Sequence, residues 1–469
     1  MKYIKKPKII LVPYPAQGHV TPMLKLASAI NNLGLHFQPV LVTPEYIHNQ
    51  IVQRIEAKDG ILCVAIPGGM ELKDSTSDFF AIEAAMENTM PNHLESLVHK
   101  FEGDEDGGVV CIVADLLASW AIEVAKSCGI PAAGFWPAMF ATYRLFAAIP
   151  DMLRSGLISD TGIPEHQGKV QFLPDTPLLF TEDLPWLIGS LAARQGRFEF
   201  WRRAMDRTKS LRCLLVNSFP DEYYEQQIID MLVITNIKVS QDCSLVVLPI
   251  GPLCKHSNAM TKNPSFWEED FSCLNWLDKQ KANSVVYIAF GSSISPIGDT
   301  KLKNVALALE ASTRPFIWVL RSAWLEGLPI GFLEKVSKQG KVVSWAPQME
   351  VLQHKAVGCY LTHCGWNSTM EAIQCRKRLL CYPAVADQFM NCAYIVQVWR
   401  IGLMLNELGQ KDVEEGLSRV MEDKEMESRL MKLYERTMGE EANSRVVSNL
   451  TAFVDEVKKV KTEYSCYTN

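Results

Sequence analysis

Three residues of this chain combine a reactive side chain with a place at the end of an apolar run. His19 stands in Gln17-Gly18-His19, just after the first such run. An imidazole titrates near neutrality, so a histidine there can serve as a general base; a loop or helix-capping role is the alternative. Asp115 follows the run 109–114, where a carboxylate can orient an imidazole and stabilise its protonated form, or simply cap a helix. His363 lies in Gly358-Cys-Tyr-Leu-Thr-His-Cys-Gly-Trp-Asn-Ser-Thr-Met-Glu371. There a strand should end at Thr362 and a helix begin near Ser368, with Ser, Asn and Thr side chains available to cap it. A helix N-terminus carries about half a positive charge and free amide donors, which suits a diphosphate. His363 can donate to the same phosphates, and Gly365 allows close backbone approach. A well-capped helix over a buried histidine is the alternative.

Two flanking segments weigh against that alternative. Ser344-Trp-Ala-Pro-Gln-Met-Glu350 is another loop after a strand, and Trp345 in it offers a face for a flat base. Glu371, about one turn beyond the phosphate loop, can accept hydrogen bonds from ribose hydroxyls. Tyr382-Pro-Ala-Val-Ala-Asp-Gln388 sets a carboxylate beside a carboxamide, a pair able to read vicinal sugar hydroxyls. Base, ribose, diphosphate and sugar are thus provided for on successive strand ends.

The elements that must position these groups follow one rhythm. Apolar runs at 8–12, 39–43, 61–66, 109–114 and 132–135 read as strands, and longer amphipathic stretches such as 21–33 and 117–128 read as crossover helices. Gly34 and Gly129 sit where a left-handed helix cap is needed. The pattern loosens over 150–245 and resumes with strands at 284–290, 314–320, 342–344, 359–362 and 379–382, and a helix at 301–311. Strand, helix, strand in repetition specifies α/β architecture with doubly wound parallel sheets. A boundary near 251–257 divides the chain into one domain over 1–250 and a second over 251–442. The tail 443–469 is amphipathic and is expected to pack back on the first domain. Two such sheets facing each other create a cleft at the carboxyl ends of their strands.

Bulk composition excludes several functions. A chain of 469 residues exceeds one comfortable core, so two domains are expected. A net charge of −6 offers no basic field for nucleic acid. The 13 cysteines show no CxxC pair, which reads as buried thiols in a reducing, cytoplasmic setting. The run Ile9-Ile10-Leu11-Val12 is too short for a signal-peptide core, and no stretch of about eighteen apolar residues predicts a membrane span. A monomer is expected.

Residues 345–388 resemble the signature box of plant secondary-product UDP-glycosyltransferases, glycosyltransferase family 1. Trp345-Ala-Pro-Gln348, Val351-Leu-Gln-His-Lys-Ala-Val-Gly358, Thr362-His-Cys-Gly-Trp-Asn-Ser368, Glu371, Pro383 and Asp387-Gln388 carry the likeness. It extends through Pro13-Tyr-Pro-Ala-Gln-Gly-His19, Val113-Ala-Asp115, Leu215-Val-Asn-Ser-Phe219 and Ser284-Val-Val-Tyr-Ile-Ala-Phe-Gly-Ser292. The resemblance implies a GT-B fold of two facing Rossmann-like domains, with 1–250 binding the acceptor and 251–442 the UDP-sugar donor. It implies that Trp345 stacks the uracil, the Ala346 backbone pairs with it, and Gln348 and Glu371 hold the ribose. His363, Asn367 and Ser368 would bind the diphosphate with Ser292 nearby, and Trp366, Asp387 and Gln388 would face the sugar. A terminal Gln resembles glucosyl rather than galactosyl transferases. His19 and Asp115 would form the catalytic dyad of an inverting transfer from UDP-glucose, without a metal, to a small hydrophobic acceptor. A binding protein with lost transfer and a sugar-nucleotide epimerase are the other readings. A nicotinamide dehydrogenase is disfavoured, because Gly18 lacks a GxGxxG run.

Two departures stand out. Arg376-Lys377-Arg378 replaces the family's usual Gly-Val-Pro, and Pro137 replaces a residue that often carries a hydroxyl. The first removes an easy helix cap and is expected to shift the loop carrying Asp387 and Gln388. Residues 139–145 and 184–200, with Trp186 and Phe198, offer an apolar wall for the acceptor or else belong to the core. The acidic stretch Asp104-Glu-Asp106 reads as a solvated turn rather than a metal site.

Overall fold

The computed structural model describes residues 6–34, 37–55, 60–70, 78–103, 107–219, 237–240, 243–253, 265–292 and 297–467. The stretch 104–106 therefore lies outside the described residues. The chain forms two compact units: 1–155 with 196–266 and 440–469, and 156–195 with 267–439.

The first unit opens with five strands, β1 (Lys8–Val12), β2 (Gln38–Pro44), β3 (Leu62–Ile66), β4 (Val109–Asp115) and β5 (Ala132–Trp136). Every residue of β1 and β4 is buried, as central strands covered on both faces require. The chain then passes into the second unit, where β6 (Lys169–Val170) and β7 (Leu179–Phe180) pair antiparallel. It returns with β8 (Cys213–Val216), β9 (Ile237–Ser240) and β10 (Cys243–Pro249). The sheet order is β3-β2-β1-β4-β5-β8-β10-β9, parallel except for the β9 edge. The order reverses between β1 and β4, making that junction a topological switch point where loops part and a ligand can enter.

The second unit's sheet runs β13 (Gly340–Val343), β12 (Phe316–Val319), β11 (Val285–Ala289), β14 (Val357–Thr362), β15 (Arg378–Cys381) and β16 (Gly402–Met404), all parallel. Its order reverses between β11 and β14.

The boundary expected at 250/251 differs from this grouping in two places. Residues 156–195 join the second unit, where Gln397 Nε2 donates to the Leu178 carbonyl (3.1 Å). Residues 251–253 stay with the first, where Leu253 is core and its amide donates to Asn217 Oδ1 (2.9 Å). The terminal helix Glu440–Tyr467 buries Val446, Leu450, Phe453, Val454 and Val457 among Ile9, Leu11, Ile30 and Val110. Each such side chain contributes about 1.5–3 kcal/mol, so the chain's last element is part of its first core.

Candidate functional site

In the first unit, β1 and β4 lie side by side with Leu11 opposite Val113 and Val12 opposite Ala114. That register brings the loop after β1 and the end of β4 to one edge of the sheet. The helix Gln17–Asn32 starts directly, so His19 sits in its first turn with its amide bonded to the Ala16 carbonyl. This helix begins four residues earlier than its apolar pattern indicates. Pro22 lies close to the start, so little of the ladder is lost to its missing N–H.

Asp115 has no exposed surface and divides its carboxylate between two donors. Its Oδ2 lies 2.7 Å from His19 Nδ1, and its Oδ1 accepts from the Leu117 amide at 2.9 Å. The two sequence readings of Asp115, cap and imidazole partner, hold together, one on each oxygen. An ionised carboxylate only accepts, so Nδ1 carries the proton and Nε2 keeps a lone pair. His19 retains 22% side-chain exposure, enough to meet a ligand. Tyr14 packs edge-on to the imidazole, ring centres 5.2 Å apart, and burial raises its hydroxyl pKa far above the ordinary value.

The expected acceptor wall is mostly core. Met139, Leu145, Leu184, Trp186 and Phe198 are all buried, and Trp186, in the second unit, spends its indole N–H on the Gly162 carbonyl (2.7 Å). Partly open aromatic surface in the first unit comes instead from Phe79, Phe80 and Phe140. The Arg197 guanidinium lies over both Phe79 and Phe80, at 4.9 and 5.0 Å.

In the second unit, the groups expected to bind a nucleotide sugar gather on the loops after β11, β13, β14 and β15. His363 follows β14, beside the switch point. Its ring is clasped by two glycines: a Cβ on Gly291 would stand 2.5 Å from Nε2, and one on Gly365 2.4 Å. Burial lowers its pKa to about 4, opposed in part by the Ala289 backbone, so the imidazole is neutral at pH 7. Its Nδ1 is buried without a hydrogen bond.

The helix after this loop runs Trp366–Gln374, two residues earlier than expected, and Gly365 is its N-cap with no side-chain cap. Asn367 and Ser368 therefore lie in the first turn rather than capping it. Ser368 Oγ accepts instead from Gln348 Nε2 (3.1 Å), which also donates to Glu371 Oε2 (2.7 Å). The Trp366 ring is buried near Trp399, so its backbone rather than an open ring face is what a ligand would meet.

Trp345 pairs with Trp267, ring centres 4.5 Å apart, and its carbonyl accepts from the Asp270 amide (2.9 Å). Among the described residues neither the amide nor the carbonyl of Ala346 is engaged. The Ser292 carbonyl is held by Arg321, whose guanidinium also lies 4.9 Å over Trp267. Gln388 is buried, and its Oε1 accepts the Ala384 and Val385 amides (2.9 and 3.1 Å), which leaves its NH2 for a ligand. Asp387 Oδ2 accepts from Asn391 Nδ2 (2.8 Å), which also donates to the Cys364 carbonyl (2.9 Å). Asn391 thereby ties the loop after β15 to the loop after β14.

Residues 260–437 match the family model described as UDP-glucoronosyl and UDP-glucosyl transferase. The chain is 52% identical to UDP-glycosyltransferase 82A1 of Arabidopsis thaliana, over 97% of this chain and all of that protein. The chain belongs to the plant family 1 UDP-glycosyltransferases. Solved structures agree on the fold. UGT71G1 of Medicago truncatula, complexed with UDP-glucose, superposes with a TM-score of 0.80 at 22% identity, covering 96% of this chain and 98% of that one. A UDP-glucosyltransferase from Polygonum tinctorium gives 0.79 at 24%, covering 98% and 99%. The fold is GT-B.

For this UDP-glycosyltransferase, several supporting residues escaped the sequence reading. Tyr287 and Tyr360, cross-strand partners on β11 and β14, both donate to Gln348 Oε1 (3.2 and 3.1 Å). Trp267 and Asn391 were missed because nothing in their local sequence marks them. Gly291 carried a signal: a glycine after a buried strand, here at φ +80°. Among the described residues no helix is long and apolar enough to cross a membrane.

The departure at 376–378 has a structural answer. Arg376 adopts the left-handed conformation itself (φ +54°), and the Lys377 amide closes onto the Ala372 carbonyl at 2.8 Å. Lys377 is buried with Nζ on the Val357 and His354 carbonyls (2.7 and 3.2 Å), and Arg378 opens β15. The expected shift of the following loop is absent from the pairing: Thr362 stays opposite Cys381, and the Tyr382 amide reaches the Thr362 carbonyl (2.8 Å). Pro137 offers only its carbonyl, which accepts from Asn217 at 3.4 Å.

Proposed function

We propose that this enzyme transfers glucose from UDP-glucose to a hydroxyl of a small hydrophobic acceptor with inversion, giving a β-glucoside. The observation that carries this reading is the buried Asp115 bonded to the half-open His19 at the sheet's switch point. His19 Nε2 takes the acceptor proton as the oxygen attacks the anomeric carbon, and Asp115 stabilises the imidazolium that forms. Attack from the face opposite the departing UDP inverts the centre, so an α-linked donor yields a β-linked product.

On the donor side, Trp345 stacks the uracil, the unengaged Ala346 backbone pairs with it, and Gln348 with Glu371 holds the ribose. His363, Asn367 and Ser368 receive the diphosphate with Ser292 nearby, on an uncapped helix start suited to an anion. Trp366, Asp387 and Gln388 face the sugar. Hydrogen bonds from these groups and the positive end of the helix stabilise the leaving diphosphate without a metal, and the protein acts in the cytoplasm as a monomer. Glucose is favoured by Gln388 and by the solved relatives, one of which holds UDP-glucose while another is capable of glucosylating indoxyl.

Incubation with UDP-glucose or UDP-galactose and a panel of phenolic, terpenoid and other lipophilic alcohols, read by mass, tests the reading. A hexoside formed from UDP-glucose and lost in His19→Ala, with UDP affinity retained, supports it. Tight UDP binding with no product on any acceptor, or turnover that survives His19→Ala, refutes it.

A further inference from the structure

Three cysteines beside the donor loop have no part in the transfer chemistry. Cys364 lies between His363 and Gly365, Cys381 ends β15, and Cys392 sits on the helix Gln388–Ala393. All three are free thiols with at most 1% exposure, and their sulfur atoms lie within 4.8 Å of one another. The sheet imposes the cluster. Cys381 is paired to Thr362, two residues before Cys364, and Asn391 Nδ2 binds the Cys364 carbonyl, which brings its neighbour Cys392 alongside. The same spot holds a second irregularity, the buried Asn391 Oδ1, which has no hydrogen-bond partner.

Three thiolates around one ion at metal–sulfur distances of about 2.3 Å place the sulfurs about 4 Å apart. The cluster is thus within a small contraction of trigonal coordination. Its donor set is all sulfur, which selects soft d10 ions over the hard cations that oxygen ligands hold. We propose that Cys364, Cys381 and Cys392 form a trigonal thiolate site for monovalent copper, and that its occupancy weakens UDP binding.

Ligation needs no change of oxidation state: each thiol that binds as thiolate releases its proton to solvent, and copper stays monovalent. The coupling to UDP rests on the proposed role of the donor loop; the metal site does not. Cys364 is held at φ +65°, with its amide on Thr362 Oγ1 (3.1 Å). Its neighbours His363 and Gly365 are packed too closely to admit even a methyl group between them. Drawing the Cys364 sulfur toward the other two therefore moves the backbone that positions His363. By linkage, UDP weakens copper binding by the same factor.

The test is an anaerobic titration of the full chain with monovalent copper against a chromophoric copper chelator, with UDP affinity measured on the loaded and metal-free protein. One tight equivalent is expected, lost in Cys381→Ala and in Cys392→Ala but kept in Cys63→Ser, Cys128→Ser and Cys375→Ser. The Cys128 control also removes the second metal-capable group, Glu95, His99 and Cys128. Both alanine variants must bind UDP when metal-free, which separates loss of the site from loss of the fold. UDP affinity should fall at least fivefold on loading. No tight equivalent in the wild-type chain, or one that survives both alanine variants, overturns the site. Unchanged UDP affinity in loaded protein overturns the coupling, and absence of UDP binding in the metal-free wild type refutes the donor-loop role instead.

Discussion

Asp115→Asn tests the dyad with almost no change of shape, and the hydrogen bonds around Asp115 fix what the amide must do. The buried carboxylate serves two donors, the Leu117 amide on Oδ1 and His19 on Oδ2. An asparagine that keeps its carbonyl on Leu117 turns its NH2 toward His19 Nδ1. That nitrogen must then accept, the proton moves to Nε2, and the base has no lone pair for the acceptor hydroxyl. The flipped amide would restore the tautomer but set NH2 against the Leu117 N–H, leaving a buried donor unpaired at about 1–3 kcal/mol. The competent tautomer is thereby reduced roughly fivefold to 150-fold.

The lost carboxylate charge no longer stabilises the imidazolium, and the same amide swap in a Ser-His-Asp triad costs about 10⁴ in kcat. We expect Asp115→Asn to lose at least about a thousandfold in kcat with its UDP dissociation constant unchanged. Product formation by mass and UDP affinity by calorimetry give the two readouts. Nitrogen NMR of the His19 ring should show the proton moved from Nδ1 to Nε2. Activity within tenfold of wild type would refute the role of the dyad. A large loss with Nδ1 still protonated would refute the tautomer argument and leave only the charge.

Three further outcomes follow from the second unit. Gly365→Ala keeps an allowed backbone (φ −59°, ψ 142°) but drives a methyl into the buried His363, so UDP affinity by calorimetry should fall at least tenfold and the melting temperature should drop by the few degrees that about 1–3 kcal/mol of overpacking costs. His363 has its pKa lowered from 6.5 to about 4, so the unfolded chain binds more protons than the folded one between those values. Its stability contribution is full above pH 6.5 and is lost as pH falls toward 4, by about 3 kcal/mol; His363→Asn should flatten that part of the stability–pH curve. Arg376→Ala keeps the left-handed strain and removes the cation over the Tyr434 ring (4.9 Å), whereas Arg376→Gly removes both. Glycine should exceed alanine by about 1 kcal/mol, a few degrees in melting temperature; equal stability would show that position 376 carries no strain.

Most of the parallel strands were legible because they are short and rich in Val, Ile and Leu, whereas β8 and β10 lie around the stretch where the strand–helix rhythm loosens and β16 spans only Gly402–Met404. His19 and Asp115 were legible as strand-end residues, yet 96 residues apart only the β1–β4 register shows them to be partners. The donor loop was legible as a motif, but not the groups that hold it. Gln348 has its carbonyl fixed by Tyr287 and Tyr360, whose hydroxyls meet it because β11 and β14 are adjacent. No local pattern announces a tertiary contact of that kind. The helix Gln17–Asn32 starts ahead of the expected 21–33 because its first residues, Gln17-Gly18-His19, carry no apolar pattern, and a proline near a helix start costs little. The stretch 156–195, which groups with the second unit, lacks the strand–helix rhythm, so composition gave no sign of the unit it joins.

Arg376-Lys377-Arg378 shows how a motif can change in residue type while its geometry persists. A helix that ends beneath a β-strand needs one residue in the left-handed region, and an arginine there costs roughly 1–2 kcal/mol more than glycine. Part of that cost is offset where the three cations lie. Arg376 rests on Tyr434, Lys377 takes two backbone carbonyls, and Arg378 Nη1 reaches the Asp423 carbonyl (3.3 Å). Each partner is neutral, and burial lowers the Lys377 pKa, with Arg376 and Arg378 adding to the effect. Because the turn keeps its shape, β15 keeps its register and delivers Tyr382, Asp387 and Gln388 to the edge they share with His363. The departure therefore acts on stability and charge at the back of the sheet rather than on sugar choice at its front. Substitutions at 376–378 that preserve the turn should change the melting temperature before they change the ratio of UDP-glucose to UDP-galactose turnover.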